Sequence, residues 1–144
     1  MTFAELVAFA GRIPLLSTAL AGLTVAIFWT ETMRLLRGGQ SLAPAALTAL
    51  VNREDALVLD VRAAGDFEKG HIPGAKHLPL AQVEPEQKLL ASARSRPVVL
   101  VCQRGQAASA AAGKLRKAGF ARVHELEGGI DGWQQAGLPL AKGR

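Results

Sequence analysis

The longest run of hydrophobic positions lies near the N-terminus. Residues 13–30 carry no charge, and as an α-helix these 18 residues would extend about 27 Å, close to the roughly 30 Å hydrocarbon core of a bilayer. Pro14 suits the first turn of such a helix, where its missing N–H removes no hydrogen bond. Trp29 falls at the end of the run, where an interfacial indole is expected. The pattern predicts one transmembrane helix over about residues 13–30.

Two other interpretations of this run are open. A cleavable signal peptide is one, because Ala19, Leu20 and Ala21 form an A-x-A arrangement, although the apolar run continues well beyond it. A buried core helix is the other, although helices that are apolar on all sides are unusual in so small a protein.

The pattern beyond residue 37 alternates between short apolar runs and helical spacing. Continuous apolar runs bounded by polar residues predict buried strands at residues 56–59, 97–101 and 122–126. Helical spacing predicts helices over residues 44–52, 84–93 and 107–118, with Ser41 as the N-cap of the first and Gly119 ending the last. We therefore expect an α/β domain over residues 38–144, with a central, mainly parallel sheet flanked by helices. It follows an N-terminal segment, residues 1–37, and a hinge at Gly38 and Gly39.

The composition argues against several kinds of site and partner. The chain has 144 residues, of which 49% are hydrophobic and 20% charged, with a net charge of +5 and one cysteine. A single cysteine excludes an intrachain disulfide and a cysteine-rich zinc site. The charges are spread out and not interleaved with aromatic residues, so no nucleic-acid partner is indicated. His71 and His77 lack the spacing of a metal site, and we expect no metal there.

The single cysteine, Cys102, directly follows a predicted strand and precedes a predicted helix. Open parallel sheets bind ligands at the carboxyl ends of their strands. The N-terminus of the following helix favours an anion, and hence the thiolate form of the cysteine. Gly105 lets the loop curl so that its amides converge, and Arg104 adds a cation. A small buried hydrophobic residue is the alternative interpretation of Cys102.

Three motifs, in order, resemble a rhodanese domain. They are Asp60-Val61-Arg62, then the run from Gly70 to Ala75, and then Gly128-Gly129 followed by Trp133 and Pro139. Together with Cys102 they cover the chain from about Gly38 to its C-terminus. A short membrane helix before one such domain also resembles a group of small bacterial membrane proteins.

The resemblance implies a sulfurtransferase. Cys102 would take a sulfane sulfur from thiosulfate or a persulfide, hold it as a persulfide, and pass it to a thiol or cyanide, with no metal or organic cofactor. The loop would bind the substrate through Gln103, Arg104, Gly105, Gln106 and Ala107. Asp60 and Arg62 would hold the loop that faces the site and take no part in the chemistry.

Two positions depart from related patterns. Phosphatases and arsenate reductases with a similar loop carry an arginine six positions after the cysteine, where this chain has Ala108, so phosphatase activity is not expected. Many rhodaneses have an arginine or a hydroxyl residue at the fifth position, where this chain has Ala107. The alternative function is therefore a catalytically weak rhodanese-like module that acts as a membrane-tethered binding platform.

The flanking charges indicate the orientation of the membrane helix. Arg12 lies on one side, whereas Arg34, Arg37 and Arg53 lie on the other, and the positive-inside bias favours a cytoplasmic C-terminal domain. A free cysteine also suits a reducing compartment. With the resemblance to small bacterial proteins, this predicts a single-pass protein of the bacterial inner membrane with its C-terminal domain in the cytoplasm.

Overall fold

A computed structural model describes residues 1–36 and 41–144. The chain divides into two compact units, Met1–Gly39 and Gln40–Arg144. The predicted hinge at Gly38 and Gly39, like Arg37 of the charge argument, lies outside the described residues.

The N-terminal unit consists of two helices. Helix α1, Phe3–Arg12, was not expected, and it begins with a capping box between Thr2 and Glu5. The hydrogen bonds to Thr2 hold the pKa of Glu5 below its ordinary value of 4.5. Helix α2, Pro14–Leu36, has Pro14 in its first turn as predicted, but it continues to Leu36, beyond the limit of about residue 30 that was expected.

Helix α2 matches the predicted membrane helix in length and composition. Its segment Pro14–Met33 is long and apolar enough to cross a bilayer, and none of it is buried within the protein.

The second unit is built on a five-stranded sheet. Its strands are β1 (Ser41–Leu42), β2 (Leu57–Asp60), β3 (Lys76–His77), β4 (Val98–Val101) and β5 (Val123–Leu126). They lie in the order β1-β5-β4-β2-β3, and every pairing is parallel. Strands β2 and β4 are buried along their whole length, as their continuous apolar runs predicted. The α/β fold with a mainly parallel sheet is therefore confirmed.

Helices cover both faces of this sheet. They are α3 (Pro44–Glu54), α4 (Ala64–Lys69), α5 (Lys88–Ala91), α6 (Gln106–Lys117) and α7 (Gly129–Gln135), with a 3₁₀ turn at Leu80–Gln82. Alternate residues of β4 point to opposite faces. Leu100 packs with α5 and α6 in one hydrophobic cluster, whereas Val99 packs with α3, α4 and α7 in the other, which includes Trp133.

Two sequence predictions in this unit are wrong. Ser41 does not cap a helix, because it pairs with Glu125 in the edge strand β1, and Ala43 takes the N-cap position of α3 without a side-chain hydrogen bond. The helix expected over residues 84–93 is only Lys88–Ala91. A turn at Glu84 precedes it, and the Gln87 side chain starts it by accepting a hydrogen bond from the Leu89 N–H at 3.0 Å. Gly119 does end α6, at a φ of +93°.

Candidate active site

Cys102 follows the last residue of β4, between the carboxyl ends of the neighbouring strands β2 and β5. Its side chain is a free thiol and the residue is only 4% exposed. The Gly105 backbone N–H donates a hydrogen bond to the Cys102 Sγ at 2.9 Å. This bond requires the chain to curl back sharply, and Gly105 has a φ of +107°, in the left-handed region that favours glycine. The loop therefore turns a backbone donor onto the sulfur.

The loop leads directly into the first turn of α6. Gly105 is the N-cap of α6 and supplies no side-chain cap, and the first turn contains no acidic residue. The backbone N–H groups at such a helix start, together with the positive end of its dipole, favour an anion. Gln106 begins the helix on its exposed side, whereas Ala107 is half-buried and packs against the hydrophobic cluster below. This arrangement suits a sulfur anion at Cys102.

Helix α7 holds the loop from the other side. The Ile130 N–H donates to the Cys102 carbonyl at 2.9 Å, and the Asp131 N–H donates to the Gln103 carbonyl at 3.1 Å. A Cβ at Gly129 would lie 2.3 Å from the Cys102 carbonyl oxygen, and the φ of Gly129 is +59°. A glycine is therefore needed at position 129, because the first turn of α7 lies directly against the backbone of the loop.

Asp60 and Arg62 form a buried ion pair beside the loop. Asp60, at the end of β2, is fully buried, and its Oδ2 lies 2.7 Å from Arg62 Nη2. The same guanidinium donates to the Gly70 carbonyl at 2.7 Å and to Gln103 Oε1 at 3.1 Å. Arg62 thus connects β2, the start of the Gly70–Ala75 motif, and the first residue after Cys102.

Asp131 is a site residue that the sequence did not reveal. Its Oδ1 accepts a hydrogen bond from Gln103 Nε2 at 2.5 Å, and its Oδ2 lies 3.3 Å from Arg104 Nε. The one available signal was the position of Asp131 in the first turn of the short helix after Gly128-Gly129. The structure therefore pairs Arg104, the cation of the loop, with a carboxylate from α7.

His71 and His77, the two histidines considered as metal ligands, make contacts within the segment from Arg62 to His77. The His71 ring stacks on Phe67 with centroids 3.8 Å apart, and its Nδ1 lies 2.8 Å from the Phe67 carbonyl oxygen. His77 Nε2 lies 2.8 Å from the Arg62 carbonyl oxygen. Trp133 is buried and donates from Nε1 to the Pro139 carbonyl at 2.9 Å. These contacts shape the loops, and His77 fixes the backbone of Arg62.

Several known proteins match this chain in sequence. The uncharacterized protein YibN of Escherichia coli strain K12 is 36% identical over 141 residues, which are 97% of this chain and 99% of that protein, so the match extends into the N-terminal helices. Thiosulfate sulfurtransferase GlpE of Pseudoalteromonas translucida is 30% identical over 87 residues, 60% of this chain and 81% of that protein.

A solved structure and a family model complete the comparison. The crystal structure of thiosulfate sulfurtransferase from Pseudomonas aeruginosa superposes with a TM-score of 0.69 at 28% identity, covering 81% of this chain but 22% of that one. The model of the rhodanese-like domain matches residues 43–136, which contain β2, β4, the Cys102 loop and α7. This chain belongs to the rhodanese-like domain family.

Proposed function

We propose that this protein is a membrane-anchored sulfurtransferase that carries sulfane sulfur as a persulfide on Cys102. The observation that carries the proposal is the hydrogen bond from the Gly105 N–H to the Cys102 Sγ at the start of α6. It supports a role for Cys102 as a nucleophile, because a thiolate is the reactive form and backbone donors stabilise it. The sulfurtransferase names of relatives support the same chemistry.

The reaction has two steps. The Cys102 thiolate attacks the outer sulfur of thiosulfate, the S–S bond of the donor breaks, and sulfite leaves with the electron pair. With a persulfide donor, the corresponding thiolate leaves instead. An acceptor thiolate then attacks the outer sulfur of the Cys102 persulfide, forms a new persulfide, and releases the Cys102 thiolate. In both steps the anionic sulfur would be stabilised by the amides of the loop, Gln103, Arg104, Gly105, Gln106 and Ala107, and the Gly105 N–H that donates to Sγ supports this role.

Asp60 and Arg62 act on the loop and not on the sulfur. The Arg62 guanidinium holds the Gln103 side chain at 3.1 Å, and Asp60 holds that guanidinium. Because both charges are largely buried, the pair keeps a single geometry. We assign these two residues a positioning role.

The membrane part of the proposal rests on α2. Its exposed apolar segment supports a span, and Arg34, Arg37 and Arg53 support a cytoplasmic C-terminal domain by the positive-inside bias. We propose the bacterial inner membrane as the location, and the match to a protein of Escherichia coli over almost the whole chain supports only the bacterial part of this assignment. Fractionation, together with protease access to the C-terminal domain in spheroplasts, tests the location. Digestion of that domain from outside intact spheroplasts would contradict the orientation.

Mass spectrometry tests the chemistry. The full-length protein, purified in nonionic detergent, is incubated with thiosulfate or with a small persulfide, and we expect an added mass of about 32 Da on Cys102. Cys102 is the only cysteine, so the adduct has one possible thiol. The matched control is Cys102→Ser, which should gain no sulfur. A wild-type protein that stays unmodified with both donors, or a Cys102→Ser variant that still transfers sulfur, would overturn the proposal.

A second function is favoured by Ala107 and by the pairing of Arg104 with Asp131. With no cation at the fifth loop position, the domain would serve as a membrane-tethered binding platform. This alternative predicts that a specific partner binds wild type and Cys102→Ala equally well, and that Cys102 gains no sulfur. Loss of partner binding in Cys102→Ala would contradict it.

A further inference from the structure

We propose that Asp131 sets the charge preference of the Cys102 site and directs it towards donors with at most one negative charge, such as persulfides, rather than towards the thiosulfate dianion. The inference rests on the proposed function and names its donor class. The Asp131 carboxylate contacts both residues that follow Cys102, through Oδ1 to Gln103 Nε2 at 2.5 Å and through Oδ2 to Arg104 Nε at 3.3 Å.

Two arginines at the loop are each paired with a carboxylate. Arg104 is paired with Asp131, and Arg62 is paired with the buried Asp60. Ala107 adds no charge. Within residues 1–36 and 41–144, each arginine that contacts or belongs to this loop is therefore already matched by a carboxylate. Backbone N–H groups remain to meet a negative charge, and these suit the single charge of a persulfide better than the two charges of thiosulfate.

The pair is exposed, and this determines how it acts. The side chains of Arg104 and Asp131 are 83% and 37% exposed, so their contact adds little to stability. A charge at the entrance of a site nevertheless acts on the approach and binding of an ion, and salt screens that effect. Asp131→Asn removes the negative charge but keeps an oxygen that can accept from Gln103. It also leaves Arg104 without its carboxylate.

Alkylation of the only cysteine provides the first test, because it needs no sulfurtransferase activity. The probes are iodoacetate, which is an anion, and iodoacetamide, which is neutral and of similar size. In the full-length protein in nonionic detergent at low ionic strength, Asp131→Asn should raise the ratio of the iodoacetate rate to the iodoacetamide rate by about threefold. High salt should remove most of this gain.

Persulfide loading provides the second test. The donors are thiosulfate and 2-hydroxyethyl persulfide, which differ by at least one negative charge. We expect Asp131→Asn to raise the ratio of kcat/KM for thiosulfate to that for the persulfide by about threefold. Adding Arg104→Gln to Asp131→Asn should remove part of the gain, because the freed guanidinium contributes to it.

The matched control is Glu54→Gln. It removes one negative charge from the same unit. Glu54, however, pairs with Arg122 at the amino ends of β2 and β5, whereas Cys102 lies at the carboxyl ends of the strands. The inference would be overturned if Asp131→Asn left the alkylation and loading ratios unchanged. It would also be overturned if Glu54→Gln gave the same gain, or if the gain persisted in high salt. If neither donor loads the wild-type protein, the proposed function fails, and the alkylation ratio still decides whether Asp131 sets the charge preference of the thiol.

Discussion

Gly129 lies directly against the backbone of Cys102. A Cβ at position 129 would come within 2.3 Å of the Cys102 carbonyl oxygen and within 2.6 Å of the Gln103 carbonyl oxygen. Both oxygens belong to backbone that cannot rotate away as a side chain can, and both accept hydrogen bonds from the first turn of α7. The position of the cysteine loop is therefore determined by a helix that begins 27 residues later along the chain.

Gly129→Ala should unfold or displace the loop. The methyl group adds a backbone clash to a φ of +59°, and together these should cost about 3 kcal/mol or more. Urea denaturation of the full-length protein in nonionic detergent, followed by Trp133 fluorescence in a Trp29→Phe background, measures the loss. The control is Gly137→Ala, with a φ of +74° but open space around the Cβ, which should cost about 1 kcal/mol. Equal losses in the two variants would contradict the close approach.

Arg62→Ala should destabilise the domain strongly. It leaves the fully buried Asp60 without its guanidinium, and breaking a buried ion pair in this way costs about 3–5 kcal/mol. It also removes the contact that holds the Gln103 side chain. The same denaturation measurement applies, and the control is Lys69→Ala, which breaks an exposed pair with Asp66 and should cost less than about 1 kcal/mol. A loss below 1 kcal/mol for Arg62→Ala would contradict the assigned role.

The fold was largely predictable because its central elements have strong local patterns. Strands β2 and β4 are continuous apolar runs, and α6 has helical spacing with a glycine at its C-terminal end, so their limits were predicted to within one residue. The edge strands β1 and β3 have two residues each, too few to show any periodicity. The predicted helix around Lys88 was too long, because apolar spacing does not reveal that the helix begins only after Gln87, whose side chain accepts a hydrogen bond from its first turn.

Residue patterns indicated the site along the loop itself, and the family resemblance added Asp60 and Arg62. Cys102 and Gly105 lie three positions apart in sequence, so a strand, a loop and a helix in succession indicated their arrangement. Asp131 contacts Gln103 across 28 positions, and Arg62 contacts it across 41. Such contacts depend on the order of the strands and on how closely α7 approaches the loop. Residue patterns do not encode that order, which is why Asp131 was missed.

The Glu54–Arg122 pair gives a pH-dependent contribution to stability. The hydrogen bond from the Arg122 guanidinium lowers the pKa of Glu54 from its ordinary value of 4.5. Glu54 therefore takes up a proton more readily in the unfolded chain than in the folded one. The contribution of the pair to stability is complete above about pH 4.5 and is lost as the pH falls through the lowered pKa of the folded state. Glu54→Gln should therefore lower Tm at pH 7, and the difference from wild type should close on acidification.

Thermal denaturation between pH 3 and pH 7 checks the sign of this effect. Arg122→Gln removes the other partner and should show the same closing difference, since the pair itself is the source of the effect. A difference that widens towards acid, in either variant, would contradict the pairing.

Ala107→Arg should increase the use of thiosulfate. Ala107 is the second residue of α6, and an arginine there adds a cation with no carboxylate already bound to it. The added charge should raise kcat/KM for thiosulfate by about fivefold at low ionic strength, with a smaller gain for a singly charged persulfide. A cation in the first turn opposes the helix dipole, and Ala107 packs half-buried against the hydrophobic cluster, so the variant should lose about 1 kcal/mol of stability. Ala107→Gln, which has a long polar side chain without charge, is the control. If both variants gain equally, then size or polarity at this position limits the reaction, and the missing charge does not.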